Sequence, residues 1–61
     1  MIKYKTEVKI MYSVINKDDP STQWVYRDLD QAIATAKGFT EMYFPYSFVV
    51  VDERGNIIWE S

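Results

Sequence analysis

The sequence predicts an α+β fold in ββαββ order, in which a single antiparallel four-stranded sheet carries one helix on one face. Three observations predict it. Apolar and polar residues alternate over residues 2–14, the apolar period becomes helical after Asp28, and two short apolar runs flank a turn sequence at residues 52–55. Because no repeat and no linker-like stretch interrupts the 61 residues, we expect a single domain covering residues 1–61.

The first strand is predicted from the alternation over residues 2–14. Even positions carry Ile, Tyr, Thr or Val, whereas most odd positions carry Lys, Glu or Ser. A period of two places all the even side chains on one face of a strand. Residues 16–21 then collect the turn-forming residues Asn, Asp, Pro and Ser, and residues 22–27 return to β-branched and aromatic types. We therefore expect an antiparallel hairpin with a long loop.

The helix is predicted from an apolar stripe that begins directly after Asp28. The Asp28 carboxylate can accept hydrogen bonds from the first turn, and Gln31 can reach back to it, as in a capping box. The sequence allows two positions for the end of the helix. Gly38 either closes a short helix or is an interior residue of a helix that reaches Tyr43. Pro45 prevents any continuation. The stripe consists of Leu29, Ala32, Ile33, Ala36, Phe39, Thr40 and Tyr43.

A second hairpin is predicted at the C-terminal end of the sequence. The run Phe48–Val51 indicates a strand that is apolar on both faces, and residues 57–60 indicate its partner. Asp52 and Gly55 occupy the first and fourth positions of a type I turn, which predicts a three-residue loop closed by a glycine bulge. The expected pairs are Val51 with Ile57, Val50 with Ile58 and Val49 with Trp59.

The composition excludes several chemistries. Without Cys or His the chain has no disulfide, no Cys or His zinc ligand, no imidazole base and no thiol nucleophile. The sequence also contains no phosphate-binding glycine loop, no nucleophile motif and no calcium-binding loop. We therefore expect no catalytic residue, no cofactor, no metal site and no small-molecule substrate.

Two features bear on the compartment. The longest apolar run, Phe48–Val51, is far shorter than the roughly 20 residues of a membrane-spanning helix. The first residues alternate between charged and apolar types and contain no apolar block of the kind found in secretory signals. Together with the absence of Cys, these features favour the cytoplasm.

Charge is unevenly distributed along the chain. Residues 1–17 contain four Lys and one Glu, a net charge of +3, whereas residues 18–61 contain three basic and eight acidic residues, a net charge of −5. Lys3, Lys5 and Lys9 form an alternative candidate site, for nucleic acid. However, alternation turns these lysines away from the neighbouring tyrosines, and the pI of about 4.8 is not that of a basic domain. An edge strand protected by lysines is the interpretation that we favour.

Four acidic residues allow a further interpretation. If the first loop and the helix start lay at the same end of the molecule, their carboxylates could cluster and mimic a phosphate backbone. Each also has a structural role available in a turn or a helix cap, which we favour. The four residues are Asp18, Asp19, Asp28 and Asp30.

The principal candidate site follows from an imbalance of apolar surface. One helix can cover only one face of a four-stranded sheet, whereas the second hairpin is apolar on both faces. We expect the uncovered face, or an exposed edge strand, to bind another protein or a second copy of the chain. In the alternative interpretation, residues 15–21 and residues 44–46 fold over this face. The predicted interface residues are Trp24, Val49, Val51, Ile57 and Trp59.

The order of the predicted elements and the sequence at the start of the helix also resemble those of known small proteins. A strand hairpin, a helix opening at residues 26–32 with the sequence YRDLDQA, and the run Phe48–Val51 together resemble very small phage proteins, among them the RNA polymerase inhibitors of short-tailed coliphages. The helix opening also looks like that of antitoxin domains of the HicB kind. Arg27 and Arg54, the only arginines, lie in no motif that matches the polymerase-binding arginines of those inhibitors. The resemblance implies a small protein that acts by occupying the surface of a larger one.

Overall fold

The structure is a computed structural model that describes residues 10–61. It confirms the predicted fold class, because one helix and one four-stranded antiparallel sheet follow each other in ββαββ order. The order of the strands across the sheet is β2-β1-β3-β4. The elements are β1 (Tyr12–Asn16), β2 (Asp19–Tyr26), α1 (Leu29–Met42), β3 (Phe48–Val51) and β4 (Ile57–Glu60).

The first hairpin differs from the prediction at its turn. Strand β1 extends to Asn16 and β2 begins at Asp19, so two residues connect them and the predicted long loop is wrong. The Asn16 side-chain oxygen accepts a hydrogen bond from the Asp18 backbone N–H at 2.8 Å, which closes the tight turn. Pro20 is accommodated inside β2 because β2 is an edge strand. Residues 2–9 of the predicted first strand lie outside the described residues, and residues 10 and 11 of that prediction are not part of β1.

The helix begins where it was predicted to begin and takes the longer of its two predicted lengths. The Asp28 carboxylate accepts a hydrogen bond from the Asp30 backbone N–H at 3.0 Å. Among the hydrogen bonds of residues 10–61 there is none from Gln31 back to Asp28, so the cap is one-sided. Gly38 is an interior residue, and the helix ends at Met42, where the following Tyr43 N–H donates to the Phe39 carbonyl at 2.8 Å.

The core lies between the helix and one face of the sheet. A row of directly paired residues crosses all four strands on this face: Trp24, Val14, Val50 and Trp59. Above it, Ala32 and Ala36 are fully buried, and their small side chains let the helix approach the sheet closely. The three largest fully buried side chains belong to Phe48, Val14 and Val50.

The second hairpin confirms part of its predicted register and corrects the rest. Val51 pairs with Ile57 as expected, but an irregularity between Val50 and Val51 shifts the remaining pairs by one residue on β4. Trp59 is therefore opposite Val50, and Glu60 is opposite Val49. The predicted pairs Val50 with Ile58 and Val49 with Trp59 are wrong because the extra β4 residue forms a bulge.

The turn of this hairpin was predicted correctly. Gly55 has φ of +88°, in the left-handed region that glycine adopts without a steric penalty. Its N–H donates to the Asp52 carbonyl at 3.0 Å. The Asp52 carboxylate also accepts from the backbone N–H groups of Arg54, at 2.9 Å, and Asn56, at 2.8 Å. The hydrogen bond from Asn56 is the main reason why the pKa of the Asp52 carboxyl is lowered.

Candidate functional site

The face of the sheet opposite the helix is the principal candidate surface, and we call it the open face. The pleat of the strands and their pairing place two rows of four residues on it. Among residues 10–61, no helix packs against this side of the sheet. The first row contains Val25, Ser13, Val51 and Ile57, and the second contains Gln23, Ile15, Val49 and Glu60.

The apolar side chains of the open face differ in exposure according to their strand. Val25 and Ile57 lie on the two edge strands and are 53% and 57% exposed. Ile15 and Val51 lie on the central strands and are half-buried, and Val49 is only 6% exposed. The face therefore offers two largely exposed aliphatic side chains at its margins and the half-buried Ile15 and Val51 between them, whereas Val49 is almost inaccessible to a partner.

One ion pair borders the open face. The Lys17 ammonium lies 2.6 Å from a carboxylate oxygen of Glu60, and both side chains are partly exposed. An exposed pair of this kind contributes at most about 1 kcal/mol to folding. Because the two charges neutralise each other, the open face carries little net charge at this margin.

The structure divides the five predicted interface residues between the two faces of the sheet. Val49, Val51 and Ile57 lie together on the open face. Trp24 lies on the opposite face, with its ring centroid 4.6 Å from that of Phe39 in the helix. Trp59 also packs against the core, because the bulge in β4 places it opposite Val50.

Sequence reasoning missed Val25 as a member of the open face. Alternation along the strand places Val25 on the same face as Gln23 and on the face opposite Trp24, and this much was readable from the sequence. The decisive information was which of the alternating β2 faces meets the helix, and that depends on the pairing of Trp24 with Val14. Alternation alone does not distinguish the two faces of a strand that carries apolar residues on both.

The two segments that were expected to fold over the open face in the alternative interpretation do not do so. Residues 15, 16 and 19–21 are themselves parts of β1 and β2. Phe44 is 72% exposed and Tyr46 is 49% exposed, so neither side chain is buried against the sheet. That interpretation is wrong for the first loop, which is short and whose neighbouring residues belong to β1 and β2, and the side chains of Phe44 and Tyr46 remain about half exposed or more.

The four acidic residues of the predicted cluster are separated by the length of β2. Asp18 and Asp19 lie at its beginning, whereas Asp28 and Asp30 follow its end. Eight strand residues span about 25 Å, so these pairs cannot share one site. No group of three or more Asp or Glu residues in the described range is arranged to hold a metal ion.

Three of these carboxylates have structural roles in the hydrogen-bond network. The Asp18 carboxylate accepts from the Ser47 N–H at 3.1 Å, and Asp28 caps the helix. The Asp19 carboxylate accepts from the Ser21 hydroxyl at 2.8 Å and from the Thr22 hydroxyl at 3.1 Å. The hydrogen bond from Ser21 is the largest cause of the lowered pKa of the Asp19 carboxyl.

The alternative candidate residues Lys3, Lys5 and Lys9 lie outside the described residues. Comparison of the chain with protein-family models, with curated proteins and with solved structures gave no match. Within residues 10–61, the helix is neither long enough nor apolar enough to cross a membrane. The assignment of a function therefore depends on the surfaces described above.

Proposed function

We propose that this chain is a small non-catalytic protein-binding module of the cytoplasm that acts as an inhibitor or regulatory accessory by stoichiometric binding to a larger protein. The observation that carries the proposal is the open face, where Val25 and Ile57 are more than half exposed on either side of the half-buried Ile15 and Val51. The resemblance to very small phage inhibitors is consistent with this class of function. Contact between two copies of the chain is the competing use of the same face.

The exposed side chains of the open face provide a favourable free energy of binding. Complete burial of a Val or Ile side chain stabilises a complex by roughly 1.5–3 kcal/mol. Because Val25 and Ile57 are already about half-buried, we expect each to contribute about 1 kcal/mol when a partner covers it.

The size of the open face favours a larger partner over a second copy. Three strands of four or five residues and the part of the longer β2 that pairs with them, spaced about 4.8 Å apart, outline a planar area of about 300 Å². A stable complex of standard size buries about 800 Å² on each partner. Any complex limited to the open face would fall well short of this area, so the partner must also contact the chain beyond the sheet, and a larger protein has more surface with which to do so.

The proposal is tested with the double variant Val25→Thr, Ile57→Thr. Threonine is compatible with strands, and both positions are exposed, so the variant is expected to fold. A protein retained from native host extract by the immobilised chain is first purified, and its affinity for each variant is then measured by calorimetry. We expect the double variant to bind roughly tenfold more weakly or worse, because about 2 kcal/mol of apolar burial is lost.

The matched control is Ala34→Ser, an exposed substitution on the outer side of the helix. It should leave the affinity unchanged. Full affinity of the double variant for the purified partner would contradict the proposal. A molar mass that doubles with concentration in light scattering, and that returns to the monomer value in the double variant, would instead identify a second copy as the partner.

A further inference from the structure

A second exposed apolar surface lies at one end of the molecule, where the helix ends. We call residues 42–46, with the sequence MYFPY, the aromatic segment. Phe44 is 72% exposed and Met42 66% exposed, and Tyr43 and Tyr46 are close to half exposed. Large apolar side chains exposed next to each other are unusual on a small monomeric protein and mark an interaction site.

The aromatic segment is held in a defined conformation by the fold. The Tyr43 N–H donates to Phe39 at 2.8 Å, and the Tyr46 N–H donates to the Tyr43 carbonyl at 2.9 Å. The Tyr43 ring lies 5.5 Å from Phe39 and 6.3 Å from Phe48, centroid to centroid. Because the segment is already ordered, its binding to a partner costs less conformational entropy than the binding of a mobile loop.

The first hairpin brings negative charge beside the aromatic segment. Ser47 directly follows the segment, and its N–H donates to the Asp18 carboxylate at 3.1 Å. Its carbonyl accepts from the Lys17 N–H at 2.8 Å, which places the β1–β2 turn alongside. Asp19 follows Asp18 in the chain and adds a second negative charge to this hairpin, with its carboxylate accepting from Ser21 and Thr22, and the Lys17 ammonium is already paired with Glu60.

The C-terminal end of the helix also makes this region more negative. The carbonyl groups of its last turn carry the negative end of the helix dipole, and no basic residue occupies that turn. Glu41 lies in the last turn, and Lys37, one turn earlier, offsets its charge. The remaining charge at this end of the described chain is that of Asp18 and Asp19 together with the helix terminus, and it is negative.

We propose that the aromatic segment packs against an apolar stripe on a partner protein that is flanked by Lys or Arg side chains. The exposed Phe44 and Met42 supply the apolar contact, and Asp18 and Asp19 supply the complementary charge. A lipid surface is disfavoured by the same charges, since segments that lie on anionic membranes carry Lys and Arg beside their aromatic residues. This inference goes beyond the proposed function, because it concerns a surface that the open face does not include.

The test uses two synthetic helical peptides that share one stripe of Leu and differ in the residues that flank it, Lys in one and Glu in the other. Each is titrated into the isotopically labelled chain and followed by amide chemical shifts. We expect the Lys-flanked peptide to shift the amides of residues 42–47 and 17–19 and to bind more weakly as salt is added. Its affinity should exceed that of the Glu-flanked peptide roughly tenfold or more.

Three variants separate this proposal from the proposed function. Phe44→Ser should weaken the binding of the Lys-flanked peptide roughly tenfold without changing the thermal midpoint, because Phe44 is mostly exposed. Asp18→Asn keeps an acceptor for the Ser47 N–H but removes a charge, and it should reduce the salt dependence. Ile57→Ser, which alters only the open face, should bind the peptide as the natural chain does.

Several results would overturn the inference. These are equal affinity for the two peptides, the absence of any chemical-shift change, or shifts confined to the open face and abolished by Ile57→Ser. Binding to vesicles of equimolar phosphatidylcholine and phosphatidylglycerol that is lost in Phe44→Ser would also overturn it, by assigning the aromatic segment to membranes. None of these results would bear on the loss of partner binding expected for the double variant of the open face.

Discussion

At the scale of single residues, short acidic side chains determine where the chain turns. Asp28 begins the helix by accepting from the N–H of the first turn. Asp52 accepts three hydrogen bonds within its hairpin turn, one from Arg54 and two from Asn56. Asp19 accepts from two hydroxyl groups at the start of β2. The cap at Asp28 and the turn at Asp52 were predicted from the sequence, because their contacts lie within four residues of the carboxylate, whereas the contacts of Asp19 at the start of β2 were not predicted.

We predict that Asp52 makes the folded state sensitive to acid. Its hydrogen bond from Asn56 lowers the pKa of the folded carboxyl below that of the unfolded chain, near 3.9. A lowered folded pKa gives stability that is present above the unfolded pKa and is lost as pH falls through the folded value. Urea midpoints should therefore decrease below about pH 4, and the decrease should be smaller in Asp52→Asn.

The control for this prediction is the behaviour near neutral pH. There the carboxylate is ionised in both the folded and the unfolded chain, so the urea midpoint of each protein should be independent of pH. Identical acid sensitivity of Asp52→Asn and the natural chain would show that the turn carboxylate does not contribute. Asp19, whose carboxyl pKa is also lowered by its hydrogen bonds from Ser21 and Thr22, is expected to contribute to any acid sensitivity that remains in the variant.

At the scale of elements, periodicity predicted the type of each segment better than its ends or its register. The helical stripe correctly predicted α1, and the turn sequence at Asp52 correctly predicted the second hairpin. The bulge in β4 was not predicted, because residues 57–60 contain no glycine or other local signal for it, and its effect is to place Trp59 against the core. That single residue of shift is the reason why Trp59 was assigned to the wrong face.

Gly38 provides a prediction at the level of the helix. It lies inside α1, and a Cβ atom added there would have no atom within 4 Å outside the helix backbone and its chain neighbours. Gly38→Ala should therefore stabilise the chain by about 0.5–1 kcal/mol in urea denaturation, because alanine has the higher helix propensity.

The matched control is Gly55→Ala in the turn of the second hairpin. The space around Gly55 is equally open, but its φ of +88° is unfavourable for a residue with a Cβ. The two substitutions should therefore change stability in opposite directions. A stabilising Gly55→Ala, or a destabilising Gly38→Ala, would contradict the conformational argument.

At the scale of the whole molecule, the two faces of the sheet have different roles. The face covered by the helix contains the core, and the open face is a candidate binding surface. The helix packs on β1, β2 and β3, which encloses Val14, Val50 and Phe48. The imbalance between one helix and a sheet with two apolar faces was predictable from the sequence. Which residues belong to each face was not, because it depends on strand pairing between segments far apart in the chain.

The role of Trp59 tests this view of the molecule. Because Trp59 was one of the predicted interface residues, its replacement by Ala would be expected on that basis to weaken association more than folding. In the structure Trp59 completes the row of paired residues on the helix side of the sheet and is partly buried against the core. Truncation of a fully buried Trp costs about 3–5 kcal/mol. Because Trp59 lies on the edge strand, we expect a loss of about 2 kcal/mol in the free energy of unfolding.

The measurement pairs urea denaturation with calorimetric titration of the purified partner at a temperature where Trp59→Ala is still folded. We expect the free energy of unfolding to decrease and the affinity to stay within about twofold of the natural chain. Trp59→Phe, which keeps an aromatic ring in the core, should recover most of the stability. If Trp59→Ala instead folded as stably as the natural chain and lost its partner, Trp59 would belong to the interface, and the side of the sheet that faces the partner would be the helix side at β4.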